Sequence, residues 1–174
     1  MATLYRSVEL IANVAIILVA VLLGAILVNK YLLAASNQSV PAQTERRQIQ
    51  PGTKLTLPGV EWSNSRRSLL MVLSTTCRYC TESAPFYQRL AAEKAQHPDF
   101  NLVAVLPQSQ AESQKYLSDH GITVTEVKHA TLASLGVTGT PTLILVDDSG
   151  SVLNSWIGKL PAGVETEVIN TFRQ

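Results

Sequence analysis

The run Ser68-Leu69-Leu70-Met71-Val72-Leu73-Ser74 leads almost directly into Cys77-Arg78-Tyr79-Cys80, and the next stretch, Thr81 to Gln96, has the pattern of a helix. A short apolar run of this kind reads as a buried strand. The cysteines therefore fall where a strand ends and a helix opens, which limits the local architecture to a strand–loop–helix unit. A thiol at that junction feels the partial positive charge of the helix N-terminus, which favours the thiolate. Cys80 lies one turn further on, close enough to pair with Cys77. A pair so placed can act as a reversible dithiol/disulfide switch.

These are the chain's two cysteines, and that decides against other uses of them. Tetrahedral zinc needs four ligands, and His97, His120 and His129 are scattered without ligand spacing. No metal is expected. A purely structural disulfide would close a very short loop, where the entropic gain is smallest. No cofactor is expected beyond the redox-active disulfide itself.

The formal net charge of +1 gives no electrostatic footprint for nucleic acid, and no Lys/Arg cluster is interleaved with aromatics. Arg46-Arg47 and Arg66-Arg67 read as solvated pairs. Leu10 to Val28 carries no charged residue. Such a stretch is long enough to cross a hydrocarbon core of roughly 30 Å. Tyr5 and Tyr31 flank it, as interfacial aromatics do. A cleaved signal peptide has a shorter apolar core followed directly by small residues, whereas Lys30 and Tyr31 intervene here before Ala34-Ala35-Ser36. The sequence thus predicts an uncleaved anchor over 1–34, a Ser/Gln/Asn/Pro-containing flexible linker over 35–50, and one globular domain over 51–174. Arg6 before the span and Lys30 after it nearly cancel as orientation signals. The short N-terminus and the persistence of disulfides outside the cytoplasm place the domain on the extracytoplasmic, periplasmic side of the cell membrane.

Within the domain, Lys54-Leu55-Thr56-Leu57 predicts a short edge strand or hairpin before the Pro58-Gly59 turn. Strands are expected at Ser68–Ser74, Asn101–Leu106, Ile122–Lys128, Thr142–Val146 and Val152–Ile157. Helices are expected at Thr81–Gln96, kinked by Pro85, at Gln110–His120, and at Ala162–Phe172. A helical turn over Thr131–Leu135 ends at Gly136. This alternation argues for an α/β sheet with helices on both faces.

Three segments together resemble the thioredoxin fold, and within it the membrane-anchored TlpA/ResA-like branch. They are Cys77-Arg78-Tyr79-Cys80 with Pro85 beyond it, Gly136-Val137-Thr138-Gly139-Thr140-Pro141-Thr142-Leu143, and Asp147-Asp148-Ser149-Gly150 with Gly158 further on. The resemblance covers about residues 50 to 174. It implies a central mixed β-sheet flanked by helices, with Pro141 in cis against the dithiol. Cys77 would attack, Cys80 would resolve the mixed disulfide, and Thr140 and Pro141 would guide an extended substrate segment by strand addition. Arg78 and the helix N-terminus would lower the Cys77 pKa. Tyr79 and Pro85 would support the site.

There are departures. Thr76 stands where many relatives carry tryptophan, and Arg-Tyr lies between the cysteines in place of a dipeptide ending in proline. Met71 holds the position of the buried acid of thioredoxin. Ser83 occupies the position of the glutamate common in the TlpA/ResA-like branch, leaving the neighbouring Glu82 as the candidate proton shuttle.

The resemblance implies a membrane-tethered thiol–disulfide oxidoreductase acting on extracytoplasmic protein thiols and disulfides, recycled by a membrane or soluble redox partner. It leans towards a reductant of the cytochrome c maturation type, while a stabilised thiolate leans towards an oxidant. Two alternatives stand beside it. One is a peroxiredoxin-like peroxidase, although Ser74 and Leu70 occupy the positions where those enzymes place threonine and proline. The other is a non-enzymatic adaptor that binds a protein or delivers a metal such as copper.

Overall fold

In the computed structural model, the described residues are 17–18, 21–23 and 49–173. The predicted span Leu10–Val28 lies outside them, apart from five helical residues, and the linker over 35–50 lies outside them but for its last two. No helix of the described residues is long and apolar enough to cross a membrane.

Five strands form one mixed sheet in the order β3-β2-β1-β4-β5. They are β1 (Arg67–Val72), β2 (Phe100–Leu106), β3 (Glu126–His129), β4 (Thr142–Asp147) and β5 (Val152–Ile157). β1 pairs in parallel with β2, which pairs in parallel with β3. β4 is antiparallel to both β1 and β5. The central strand has buried residues on both faces, and its side chains divide by parity. Leu69, Met71 and Leu73 enter one apolar cluster, Leu70 and Val72 the other. That is why the run is continuously apolar in the sequence.

The helices are α1 (Arg78–Glu82), α2 (Ala84–Gln96), α3 (Gln110–Asp119) and α4 (Ala162–Asn170). Phe86, Tyr87 and Leu90 of α2, Tyr116 and Leu117 of α3 and Val168 of α4 all join the Leu69 cluster. The other face is covered by Leu55, Leu57, Val60 and Trp62 and by Leu132, Leu135 and Val137. The expectation of helices on both faces is corrected here. Residues 130–141 are too few and too rich in glycine for a full helix, and they give a single 3-10 turn, Ala133–Leu135, closed by Gly136 at φ 67°.

Two further boundaries differ from expectation. The helix expected over Thr81–Gln96 begins earlier, at Arg78, and is interrupted at Ser83. Pro85 therefore sits in the first turn of α2, where its missing N–H costs no helical hydrogen bond. The Lys54–Leu57 segment forms one isolated bridge, Lys54 with Ser151, just before the start of β5.

Gly150 closes the β4–β5 hairpin at φ 74°, a left-handed conformation that side chains resist. A Cβ there would lie 2.6 Å from Trp62 Cδ1 and 3.2 Å from the Leu55 carbonyl oxygen. Gly150→Ala is expected to lower stability by more than about 1 kcal/mol in urea unfolding; an unchanged midpoint would contradict the packing described.

Candidate active site

Sheet register builds the site. Val72, the last residue of β1, lies opposite Thr142, the first of β4, in antiparallel pairing. The chain that leaves β1 towards Cys77 therefore passes the chain that enters β4 from Thr140 and Pro141. The Thr140–Pro141 bond is cis. Thr142 Oγ1 donates to the Gly139 carbonyl at 2.8 Å, and the Gly158 N–H donates to the Pro141 carbonyl at 2.7 Å. The segment is thus held from both sides, and the Cys77 thiol donates to the Thr140 carbonyl at 3.3 Å.

Cys77 caps α1 at its N-terminus with extended backbone. Its N–H donates to the Ser74 carbonyl at 3.1 Å, and its own carbonyl accepts from the Cys80 N–H at 3.1 Å. Both thiols are free, Cys77 partly exposed and Cys80 fully buried. The two environments separate their acidities. Burial pushes the Cys77 thiol up, but hydrogen bonds with the Thr140 and Cys80 side chains and the backbones of Cys80 and Tyr79 outweigh it. The net result lies below the ordinary thiol value. Burial dominates at Cys80 and drives it up to about 12, against a hydrogen bond with the Ser74 backbone that favours its thiolate. The Cys77 thiolate, accepting from the Cys80 thiol, and the charge it then carries push Cys80 the same way as burial. One thiol is therefore primed and reachable; the other is protonated and enclosed.

The Arg78 side chain, 85% exposed, is turned to Glu82, with its Nε 2.6 Å from Glu82 Oε1. Lys159, which the sequence reading missed, completes the group with Nζ 2.9 Å from Glu82 Oε2. Lys159 first and Arg78 second hold the Glu82 carboxyl below its usual range. A carboxylate engaged by two cations at the surface is poorly matched to shuttling protons at neutral pH. Tyr79 projects into solvent beside Cys77, 54% exposed. On the inner side, Met71, Tyr87 and Tyr116 share the cluster that buries Cys80. Burial pushes both tyrosine hydroxyls up, so they stay neutral.

The Cys80 shift carries a sign. The unfolded chain releases that proton near the ordinary value of 9.0, while the folded dithiol holds it to about 12. The native state then binds more protons, so this group's contribution to stability is present below pH 9 and is lost as pH rises towards 12. Urea unfolding of the reduced protein between about pH 9 and pH 11 should decline more steeply for wild type than for Cys80→Ala. Equal slopes would contradict the burial effect. Glu82→Gln is expected to leave the rate of disulfide exchange at pH 7 within about twofold of wild type; a loss of tenfold or more would restore Glu82 as the shuttle.

A protein-family model described as Redoxin matches residues 35–171. No curated protein matches the chain. Among solved structures, a Chlorobium tepidum protein provisionally described as thiol:disulfide interchange protein DsbE aligns with TM-score 0.55 and 23% identity, covering 72% of this chain and 97% of that one. The thioredoxin domain of a thiol-disulfide oxidoreductase from Bacteroides vulgatus aligns with TM-score 0.55 and 14% identity, covering 72% and 99%. A thiol:disulfide interchange protein from Bacteroides sp. aligns with TM-score 0.54 and 16% identity, covering 73% and 89%. At these identities the structural likenesses establish the thioredoxin-like fold.

Proposed function

The chain belongs to the Redoxin family and is a thiol–disulfide oxidoreductase; we propose that it is a membrane-tethered reductant of extracytoplasmic protein disulfides, working through Cys77 and Cys80. The observation that carries this reading is the pairing of a primed, partly exposed thiol with a buried, protonated one beside the Thr140 carbonyl.

The Cys77 thiolate attacks one sulfur of a client disulfide. A Cys77–client bond forms as the client S–S bond breaks, and the departing client sulfur leaves as a thiolate that takes up a proton. Cys80 then loses its proton and attacks Cys77 Sγ. The Cys77–Cys80 bond forms, the mixed disulfide breaks, and the second client thiol is released. The client has gained two electrons and two protons, and the protein holds a disulfide. Thr140 and Pro141 offer backbone beside the dithiol to an extended client segment. A membrane-bound or soluble partner must then return two electrons to Cys77–Cys80.

A favoured thiolate stabilises the reduced form and by itself leans towards an oxidant, and the Cys77 thiol does lie below its ordinary value. The reductant direction is supported instead by the resemblance to the TlpA/ResA-like branch carried by Cys77–Cys80 and the Gly136–Leu143 segment. The uncharged run Leu10–Val28 supports tethering, and the disulfide chemistry supports an oxidising compartment.

Equilibration with glutathione tests the direction. A potential of about −270 mV or below is expected, and one near about −120 mV would make the protein an oxidant. Cys77→Ser should abolish reduction of a disulfide-bonded client; activity at the wild-type rate would eliminate the mechanism. Protease protection of the domain in intact cells, with loss on opening the outer compartment, is the result expected for the extracytoplasmic placement; cleavage only after lysis of the cytoplasm would contradict it.

A further inference from the structure

We propose that the rim of the dithiol selects clients by charge, with Arg78 and Lys159 favouring disulfides set among acidic residues. The inference rests on the reading in which Cys77 attacks a client segment laid beside Thr140 and Pro141, and it names the class of client that site takes.

The two cations reach the rim from separate elements. Arg78 follows Cys77 directly and opens α1. Lys159 follows Gly158, whose N–H holds the Pro141 carbonyl at 2.7 Å. One cation is thus next in sequence to the attacking thiol, the other to the clasp on the cis-proline segment. Glu82, the last residue of α1, joins them. Its Oε1 lies 2.6 Å from Arg78 Nε, and its Oε2 lies 2.9 Å from Lys159 Nζ. The row Arg78–Glu82–Lys159 therefore runs from the dithiol helix to the turn after β5.

The charges in this row do not cancel. Two cations share one carboxylate, which leaves one positive charge in excess. Arg78 meets Glu82 through Nε, and its side chain is 85% exposed. The terminal nitrogens of its guanidinium are thus open to a second carboxylate, which that planar fork can bind at two points. Lys159 is 48% exposed.

The surrounding loops do not offset the excess. Ser74–Cys77, Pro107–Ser109 and Ala130–Pro141 meet the same end of the sheet and contain no charged residue. Two acids begin the neighbouring helices, and both are engaged. Glu112 of α3 accepts from the Ser109 N–H and hydroxyl, and Glu165 of α4 is paired with Arg89. Tyr79, exposed beside Cys77, offers contact that is indifferent to charge. Rim charges act on encounter and register more than on the bonds being exchanged, so the excess favours the approach of anionic segments.

The test uses three cyclic peptides, each with one internal disulfide, alike except for Glu, Gln or Lys on either side of the cysteines. The full-length reduced protein reduces each at pH 7. Each rate constant is divided by that for dithiothreitol, which removes the effect of the flanking charge on the peptide disulfide itself. At low salt the Glu peptide is expected to react about threefold to tenfold faster than the Lys peptide. At about 1 M salt, where the screening length is roughly 3 Å, the two should agree within about twofold. Arg78→Gln combined with Lys159→Gln should bring the low-salt ratio to parity. Glu82→Gln unmasks both cations and should raise the ratio by about twofold, a rise that a merely structural row would not give. Equal rates for the Glu and Lys peptides in wild type would overturn the proposal. So would a ratio that survives the double substitution, or one that Glu82→Gln lowers or leaves unchanged. Failure of the neutral Gln peptide to react, or its reduction by Cys77→Ser, would instead remove the underlying reading and this inference with it.

Discussion

Strand β1 is bordered on one side by a parallel neighbour and on the other by an antiparallel one. Its C-terminal end therefore meets the end of β2 and the start of β4 at one edge of the sheet. The dithiol and the Thr140–Pro141 segment gather there. The antiparallel side brings the Thr140 carbonyl onto the Cys77 thiol, and the parallel side brings the Gln108 amide onto Ser74 and Thr75. A one-residue slip in either register would reverse the faces of the strand. It would pull Leu70 and Val72 out of one buried cluster and Leu69 and Met71 out of the other. The apolar core on both sides of β1 thus fixes the geometry of the dithiol.

The same core makes the two thiols unequal. Cys80 enters the cluster with Met71, Tyr87 and Leu90 and is held protonated by burial. Cys77, at the start of the five-residue helix α1, keeps access to solvent and to the backbone of Tyr79 and Cys80 in the first turn. Such groups favour a thiolate. The apolar Met71 on the inner side means that Cys80 has no carboxylate at that position to take its proton.

Much of this was legible in the sequence. The strand before Cys77, the hairpin after Thr142 and the dithiol itself follow from apolar runs, turn residues and cysteine spacing. β5 was read with its observed bounds, Val152–Ile157. Thr140 and Pro141 were legible through resemblance, and the structure places them beside Cys77. What was not legible depends on contacts between distant residues. The pairing of Glu82 with Lys159 joins positions 77 apart in sequence, and no local pattern announces it. Arg78 looked like an activating cation because it adjoins Cys77, yet its side chain is turned to a helical i,i+4 partner. Gln108 gave no signal, since a glutamine after a strand is ordinarily solvated and meets Ser74 and Thr75 only through the β1–β2 register. The break at Ser83 was hidden because proline is equally compatible with a kink and with a new first turn.

The most direct measurement is the rate of alkylation of each thiol as a function of pH, with the labelled residue identified by mass. The account predicts that Cys77 alone is labelled at neutral pH, with a midpoint below that of a free cysteine, and that Cys80 reacts only in strongly alkaline solution. Preferential labelling of Cys80, or a Cys77 midpoint at or above the free-thiol value, would contradict it.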